Sequence, residues 1–383
     1  MNTPPNHAPL VVETRGVGIA QSVESAHYGS IAVVDTAGNL LWSVGDAQAL
    51  TFSRSTLKPF QALPFVEAGG LKTFGFDESE TAMLCASHSG EDMHVALAER
   101  MLRKAECDEH HLQCGCHVPM RYSAFDLPAP AGATFDQRHN NCSGKHAGFL
   151  AYCRMTETPL DTYLDDGHPL QRVIRARVAA TAGIDEATLA VGIDGCSAPN
   201  LALPLARLAR LYALLARPEA ADDARAEGAA LAPAEALDRL LRAMTGHPEL
   251  VSGTGRSDLL FMGSATGTDG QPELVSKVGA AGVQTFGVRS AGLGIAIKIA
   301  DGNMAALYCA ATAVLDQLGP LAQVGAHGLG IVVDAGGTRV GMARQPHPAA
   351  RPGGGAAEHR RLLDHPDLQA QRGRGDGGRQ STG

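Results

Sequence analysis

Short apolar runs punctuated by glycine stand at both ends of the chain and enclose a long stretch of helical periodicity; no other feature constrains the fold as strongly. Near the start, Gly29-Ser-Ile-Ala-Val-Val-Asp35 and Leu40-Leu-Trp-Ser-Val44 flank the turn residues Thr36-Ala-Gly-Asn39, which predicts a hairpin. Near the other end, Glu273 to Gly279, Gly282 to Val288 and Gly292 to Ile299 are three more strand-like runs. Between them, Asp77 to Cys107, Pro169 to Ala182, Leu201 to Ala216 and Pro233 to Met244 carry apolar residues at helical spacing. Ala220 to Ala232 is Ala-rich and suits a surface helix, and Met304 to Leu318 predicts a late helix packed on the sheet. Sheet ends around a helical middle imply an α+β chain whose termini pair in one sheet.

Composition narrows the partners. Forty acidic against 32 basic side chains give a net charge of −8, and no basic stripe with interleaved aromatics appears, so nucleic acid is not an expected partner. No apolar run reaches the roughly 20 residues of a membrane helix, and Met1 to Arg15 lacks the layout of a secretory signal; no membrane partner and a cytoplasmic location are expected. Eight cysteines, sparse and irregularly spaced over 383 residues, point to reduced thiols rather than a disulfide framework.

Several segments carry chemistry. Ser55-Thr-Leu-Lys58 has the S-x-x-K spacing of serine acyl-enzymes, in which a lysine that has lost its proton activates the hydroxyl. The same four residues also read as a helix N-cap serine followed by a surface lysine. Ala86-Ser-His-Ser-Gly-Glu91 sets two hydroxyls, an imidazole and a carboxylate in an apolar stretch: Ser87 and Ser89 are both candidates, and a capped helix start is the other reading. In His139-Asn-Asn-Cys-Ser-Gly-Lys-His146 the Cys142 thiol and the Lys145 amine share one face if helix begins there. Gly192-Ile-Asp-Gly-Cys-Ser-Ala-Pro-Asn200 adds a second thiol, Cys196, beside Asp194. Two thiolates and a nitrogen suit a soft divalent ion such as zinc; two buried structural cysteines are the alternative. The segment around Lys145 is no phosphate loop, because the first glycine is missing and His146 stands where Ser or Thr should be. Cys114-Gly-Cys116 is a weak metal signal that also fits ordinary loop thiols. Asp194 can orient a lysine or accept a substrate ammonium. Lys277 and Lys298 lie in apolar strand-like runs, poised for reaction or simply outward-facing. Arg256 reads as a carboxylate anchor or as a surface loop residue.

Taken together and in order, Arg54-Ser-Thr-Leu-Lys-Pro-Phe-Gln61, Ser87-His-Ser-Gly-Glu91, Asn141-Cys-Ser-Gly-Lys-His-Ala-Gly148, Asp194-Gly-Cys196 and Lys277-Val-Gly-Ala-Ala-Gly282 resemble the rhizobial-type L-asparaginase II family. The resemblance implies a serine β-lactamase-like fold and hydrolysis of L-asparagine to L-aspartate and ammonia, with a zinc ion near the catalytic serines. It implies a first Ser-Lys pair at Ser55 and Lys58, a second at Ser87 and Lys277, and zinc ligands Cys142, Lys145 and Cys196. Arg54, Asp194, His146 and Arg256 are the candidate substrate-binding residues, and Ser55 is the favoured nucleophile. Pro199-Asn200 departs from the family's usual Pro-Thr or Pro-Ser. Residues 1–15 then form an N-terminal extension, 16–344 the asparaginase II-like catalytic domain and 345–383 a disordered tail. The expected enzyme is a homodimeric L-asparaginase acting on a small molecule. A glutaminase or other Ser-Lys amidohydrolase, and a non-catalytic zinc- or amino-acid-binding protein, are the rivals.

Overall fold

The computed structural model describes residues 5–15, 22–125, 127–318 and 343–344. The chain opens with β1 (Ala8–Arg15), β2 (Ser22–Asp35), β3 (Leu40–Val44) and β4 (Leu50–Phe52), then turns through Arg54–Leu57 into α1 (Lys58–Glu67). Helices α2 (Gly70–Phe74), α3 (Glu78–Leu84), α4 (Asp92–Lys104), α5 (Met120–Ser123), α6 (Ser143–Met155) and α7 (Pro169–Ala182) follow. A second hairpin, β5 (Ala190–Ile193) and β6 (Pro199–Pro204), leads to α8 (Leu205–Ala216), α9 (Glu219–Ala226), α10 (Ala234–Gly246), α11 (Pro248–Val251) and α12 (Ser257–Gly263). The chain returns through β7 (Leu274–Gly279), β8 (Val283–Val288), β9 (Leu293–Ile299), α13 (Met304–Gln317) and the short β10 (Ala343–Arg344).

The main sheet is antiparallel, in the order β10-β3-β2-β9-β8-β7, and β1 pairs with the first half of β2. The two ends of the chain meet at β2 and β9, with Ile31 opposite Ile297 and Val33 opposite Ile295. Period-two alternation in these strands supplies two cores at once. Ile31, Val33, Ile295 and Ile297 face one core together with Leu307, Val314 and Leu315 of α13; Ala32, Val34 and Ala296 face the other together with Leu208, Leu211 and Leu215 of α8. Each such buried aliphatic side chain contributes about 1.5–3 kcal/mol. Small residues line the α8 side because the helix backbone lies directly on the sheet: a Cβ at Gly294 would sit 1.9 Å from the Ala209 carbonyl oxygen. A smaller sheet, β4-β6-β5, stands beside the first.

The boundaries of α7 follow the sequence reading, with Pro169 at its first turn and Gly183, at φ 68°, closing it. Other boundaries differ. Ala8–Arg15, assigned by sequence to an extension, is strand β1, and β2 begins at Ser22 because that extra length pairs with β1. Asp77 to Cys107 is two helices: Ala86 to Glu91 leave the helical path because their polar groups bond to distant segments, and Gly90 adopts φ 67°. Leu201 to Leu203 belong to β6, since a short apolar run does not distinguish strand from buried helix; Pro204 separates them from α8. The helix within Ala220 to Ala232 stops at Ala226, before Gly228 at φ 97°. Among the described residues no helix is long and apolar enough to cross a membrane. The tail after Arg344 lies outside the described residues.

Candidate active site

Both sheets meet at the turn that carries Ser55. Arg54 there adopts φ 53°, a conformation that costs a non-glycine residue about 1–2 kcal/mol, so the turn must be held from outside. Asn200 Oδ1 accepts the Arg54 N–H at 3.0 Å, Ser53 Oγ donates to the Leu201 carbonyl at 2.8 Å, and the Tyr212 hydroxyl of α8 donates to the Thr56 carbonyl at 2.6 Å. Asn200, the departure from the family pattern, is thus a clamp on the serine turn. Ser55 is 9% exposed, and its hydroxyl makes no hydrogen bond with a described residue.

Lys58 opens α1, its N–H bonded to the Ser55 carbonyl, so one helical turn carries both residues. Its buried amine donates to the Ser87 hydroxyl at 2.9 Å, to the Asn141 carbonyl at 3.2 Å and to the Ala86 carbonyl. Ser87 lies in the segment between α3 and α4, which is pinned at several polar groups. Ser87 N–H donates to the Val251 carbonyl at 2.8 Å, Arg256 Nη1 donates to the Ser87 carbonyl, and Glu91 accepts from Thr254 N–H and Oγ1 at 2.9 and 2.8 Å. His88 bridges Gly90 N–H and the Ser143 hydroxyl, and burial holds its pKa well below the usual value, which keeps the ring neutral. Of the two serines left open by the sequence, Ser87 faces a lysine and Ser89 donates to the Ser252 carbonyl at 3.1 Å.

Lys277 on β7 has no exposed surface, and its amine donates to Asp258 Oδ2 at 3.1 Å and to the Val278 carbonyl at 2.9 Å. The hydrogen-bonded serine–lysine pair is therefore Ser87 with Lys58, where the family resemblance pairs Ser87 with Lys277. Burial, reinforced by Lys58 and Arg256 and opposed by Asp258, lowers the Lys277 pKa to about 8. The lowered pKa keeps it a titrating neighbour of the pair. Lys298 instead faces outward, half-buried, with its amine on the Ala281 carbonyl at 2.7 Å.

The thiols also converge. Cys142 caps the start of α6 and Cys196 sits in the β5–β6 turn, where the Lys145 amine donates to the Cys196 sulfur at 3.0 Å. The hydrogen bond from Cys142 and the charge of Lys145 hold the Cys196 thiol far below its usual pKa, which makes it the thiolate, while bonding to Cys196 and burial push Cys142 up. Burial works against charge on Lys145, but the Cys196 thiolate outweighs it and raises its pKa. His146 is fully buried, with Nδ1 on the Tyr163 hydroxyl at 2.7 Å; burial lowers its pKa, opposed by its contact with the Cys196 sulfur. Those contacts turn it to the thiols, away from the substrate role expected of it. Among the described residues no trio of His, Cys, Asp and Glu could hold a metal ion, so a third ligand beside the two thiols would be the amine of Lys145. Cys114 and Cys116 do not act together: one is buried on the Gln137 carbonyl, the other exposed.

Arg54 and Asp194 face each other across the turn, Nε to Oδ1 at 2.9 Å. The Nε hydrogen is not aligned on the oxygen, so this is a charge contact and not a directed bond. Arg256, expected as a carboxylate anchor, spends Nη1 on the Ser87 and Ser252 carbonyls and holds the serine segment. Asp258 was not singled out in the sequence, although the segment Ser252 to Asp258 contains it; its partners lie on β7, and nothing local marks it. The 870 Å³ groove lined by Glu67, Lys72, Asp77 and Arg242 stands apart from these residues.

A family model described as L-asparaginase II matches residues 14–337. No curated protein matches the chain. Solved structures similar to it are serine β-lactamase-like folds. A β-lactamase (Mb2281c) from Mycobacterium bovis is 13% identical with a TM-score of 0.38, covering 76% of this chain and 94% of its own. Simvastatin synthase (LovD) from Aspergillus terreus is 12% identical with a TM-score of 0.35, covering 73% and 90%. Likenesses this remote say nothing about chemistry.

Proposed function

We propose, because the chain belongs to the L-asparaginase II family, that this asparaginase-like amidohydrolase cleaves the side-chain amide of L-asparagine to L-aspartate and ammonia through a serine acyl-enzyme. The observation that carries this reading is the Lys58 amine, 2.9 Å from the Ser87 hydroxyl and on the same helical turn as Ser55. A serine hydroxyl needs an adjacent base, and a lysine serves as one only in its neutral amine form. Ser55, the more exposed serine with the uncommitted hydroxyl, attacks the amide carbonyl as Lys58 takes its proton. The proton passes to the leaving nitrogen, with Ser87 hydrogen-bonded to the same amine; ammonia departs and water cleaves the ester. Arg54 takes the substrate carboxylate and Asp194 its ammonium, each giving up the other.

Cys142, Lys145 and Cys196 would hold a zinc ion, and the donor chemistry fits: one thiol already favours the thiolate, and the buried Lys145 amine lies 3.0 Å from its sulfur. Bound there, zinc would supply a fixed positive charge next to the serine–lysine site. Lys145 must then be neutral, which proximity to the ion itself favours.

Ammonia release from asparagine and glutamine, together with ring opening of a β-lactam, tests the reading. We expect kcat/KM for asparagine to exceed that for glutamine by about 10-fold or more, the worth of one methylene in a closed pocket. Faster turnover of glutamine would make the chain a glutaminase. No ammonia from any amide would make it a binding protein.

A further inference from the structure

We infer that Asp258 is a positioning residue for this hydrolysis, acting through Lys277, and that the start of α12 is the bracket that sets Lys277 against the Ser87 segment. The inference rests on the amidohydrolase reading above. Arg256 and Asp258 stand two residues apart where α12 begins, and they reach in different directions. Arg256 Nη1 bonds the Ser87 carbonyl and, at 3.2 Å, the Ser252 carbonyl. Asp258 grips three consecutive residues of β7: Oδ1 accepts from Ser276 Oγ at 2.8 Å, and Oδ2 accepts from Val278 N–H at 3.0 Å and from the Lys277 amine at 3.1 Å. Gln284 braces the cluster through Ser276 Oγ at 3.0 Å. With the Val278 carbonyl as its second acceptor, the Lys277 ammonium has two of its three N–H directions fixed. The third has no acceptor among the described residues.

Stability does not account for this arrangement. A buried ion pair contributes little beyond what apolar side chains of the same volume would, and Asp258 and Lys277 both have no exposed surface. The groups facing Lys277 are Asp258 and Arg256 from α12, Lys58 from α1 and Cys85 at the end of α3; Tyr212 of α8 and Tyr308 of α13 face the Asp258 carboxylate. Asp258 is the carboxylate among them, opposed to two cations. Removing its charge makes Lys277 give up its proton at lower pH.

Asp258→Asn keeps the shape while removing that charge: its amide oxygen can still accept from Val278 N–H, and its amide nitrogen can donate to Ser276 Oγ in place of the bond the carboxylate accepted. We expect kcat for asparagine to fall about 10²-fold with KM changed little, the cost of losing a held geometry. The limb of the kcat/KM profile that belongs to Lys277, identified as the one missing in Lys277→Met, should move to lower pH by about one unit. Asp258→Glu, which keeps the charge, should return the limb toward its wild-type place, and it serves as the test if Asp258→Asn does not fold. Asp258→Asn added to Lys277→Met should slow turnover no further. A wild-type kcat and profile in Asp258→Asn, or full additivity with Lys277→Met, overturns the inference while leaving the amidohydrolase reading intact. A Lys277→Met variant as fast as wild type overturns it too, and in that case the assignment of Lys277 fails first.

Discussion

Lys58→Met lowers kcat for asparagine about 10³-fold in a chain that remains folded, and combining it with Ser55→Ala lowers it no further. Lys58 is 1% exposed, and three acceptors converge on its amine, including the Ser87 hydroxyl. Methionine keeps the apolar stem in place. The acceptors left behind cost about 1–3 kcal/mol each, partly offset because a buried charge is removed as well. The melting temperature should therefore drop modestly while activity collapses. Hydroxyl and amine act as one nucleophile-base unit, so losing either removes the same step. A double variant much slower than both folded single variants would show that they work independently.

The second large effect is on metal content. Purified protein should carry about one zinc per chain, and Cys196→Ala should carry none. Cys196 is the hub of that cluster, in contact with Lys145 and influenced by both Cys142 and His146. Cys142→Ala should lose the ion as well, since one thiolate and an amine make a poor site for it. Elemental analysis decides this without reference to turnover; full retention in both variants excludes the ligand set.

What could be read from the sequence was what depends on local spacing. Short apolar runs bounded by glycine in β2 and β9 announced a sheet made from the two ends of the chain, and Pro169 and Gly183 marked the ends of α7 because each residue's backbone chemistry is self-contained. The break at Ala86 to Glu91 was legible only as the alternative of a capped helix start, which Glu91 at the N-cap of α4 bears out; the periodicity on both sides obscured it, and the segment's other anchors lie far away, at Val251, Ser252 and Ser143. The five chemical segments were visible for the same local reason, down to the S-x-x-K turn. Which lysine meets which serine was not. A lysine side chain is long enough to leave its own turn, and Lys58 reaches across to Ser87 while Lys277 curls toward Asp258. His146 entered as a candidate substrate-binding residue with the family resemblance, and the structure places it buried against Tyr163 beside the thiols.

The central claim is that Ser55 forms the covalent intermediate with Lys58 as its base. Quenching the wild-type enzyme in acid during turnover of asparagine, followed by peptide mass mapping, tests it most directly. The account predicts an aspartyl ester on the peptide containing Ser55, absent from Lys58→Met. An ester on the Ser87 peptide, or rapid ammonia release with no ester on either serine, would contradict it.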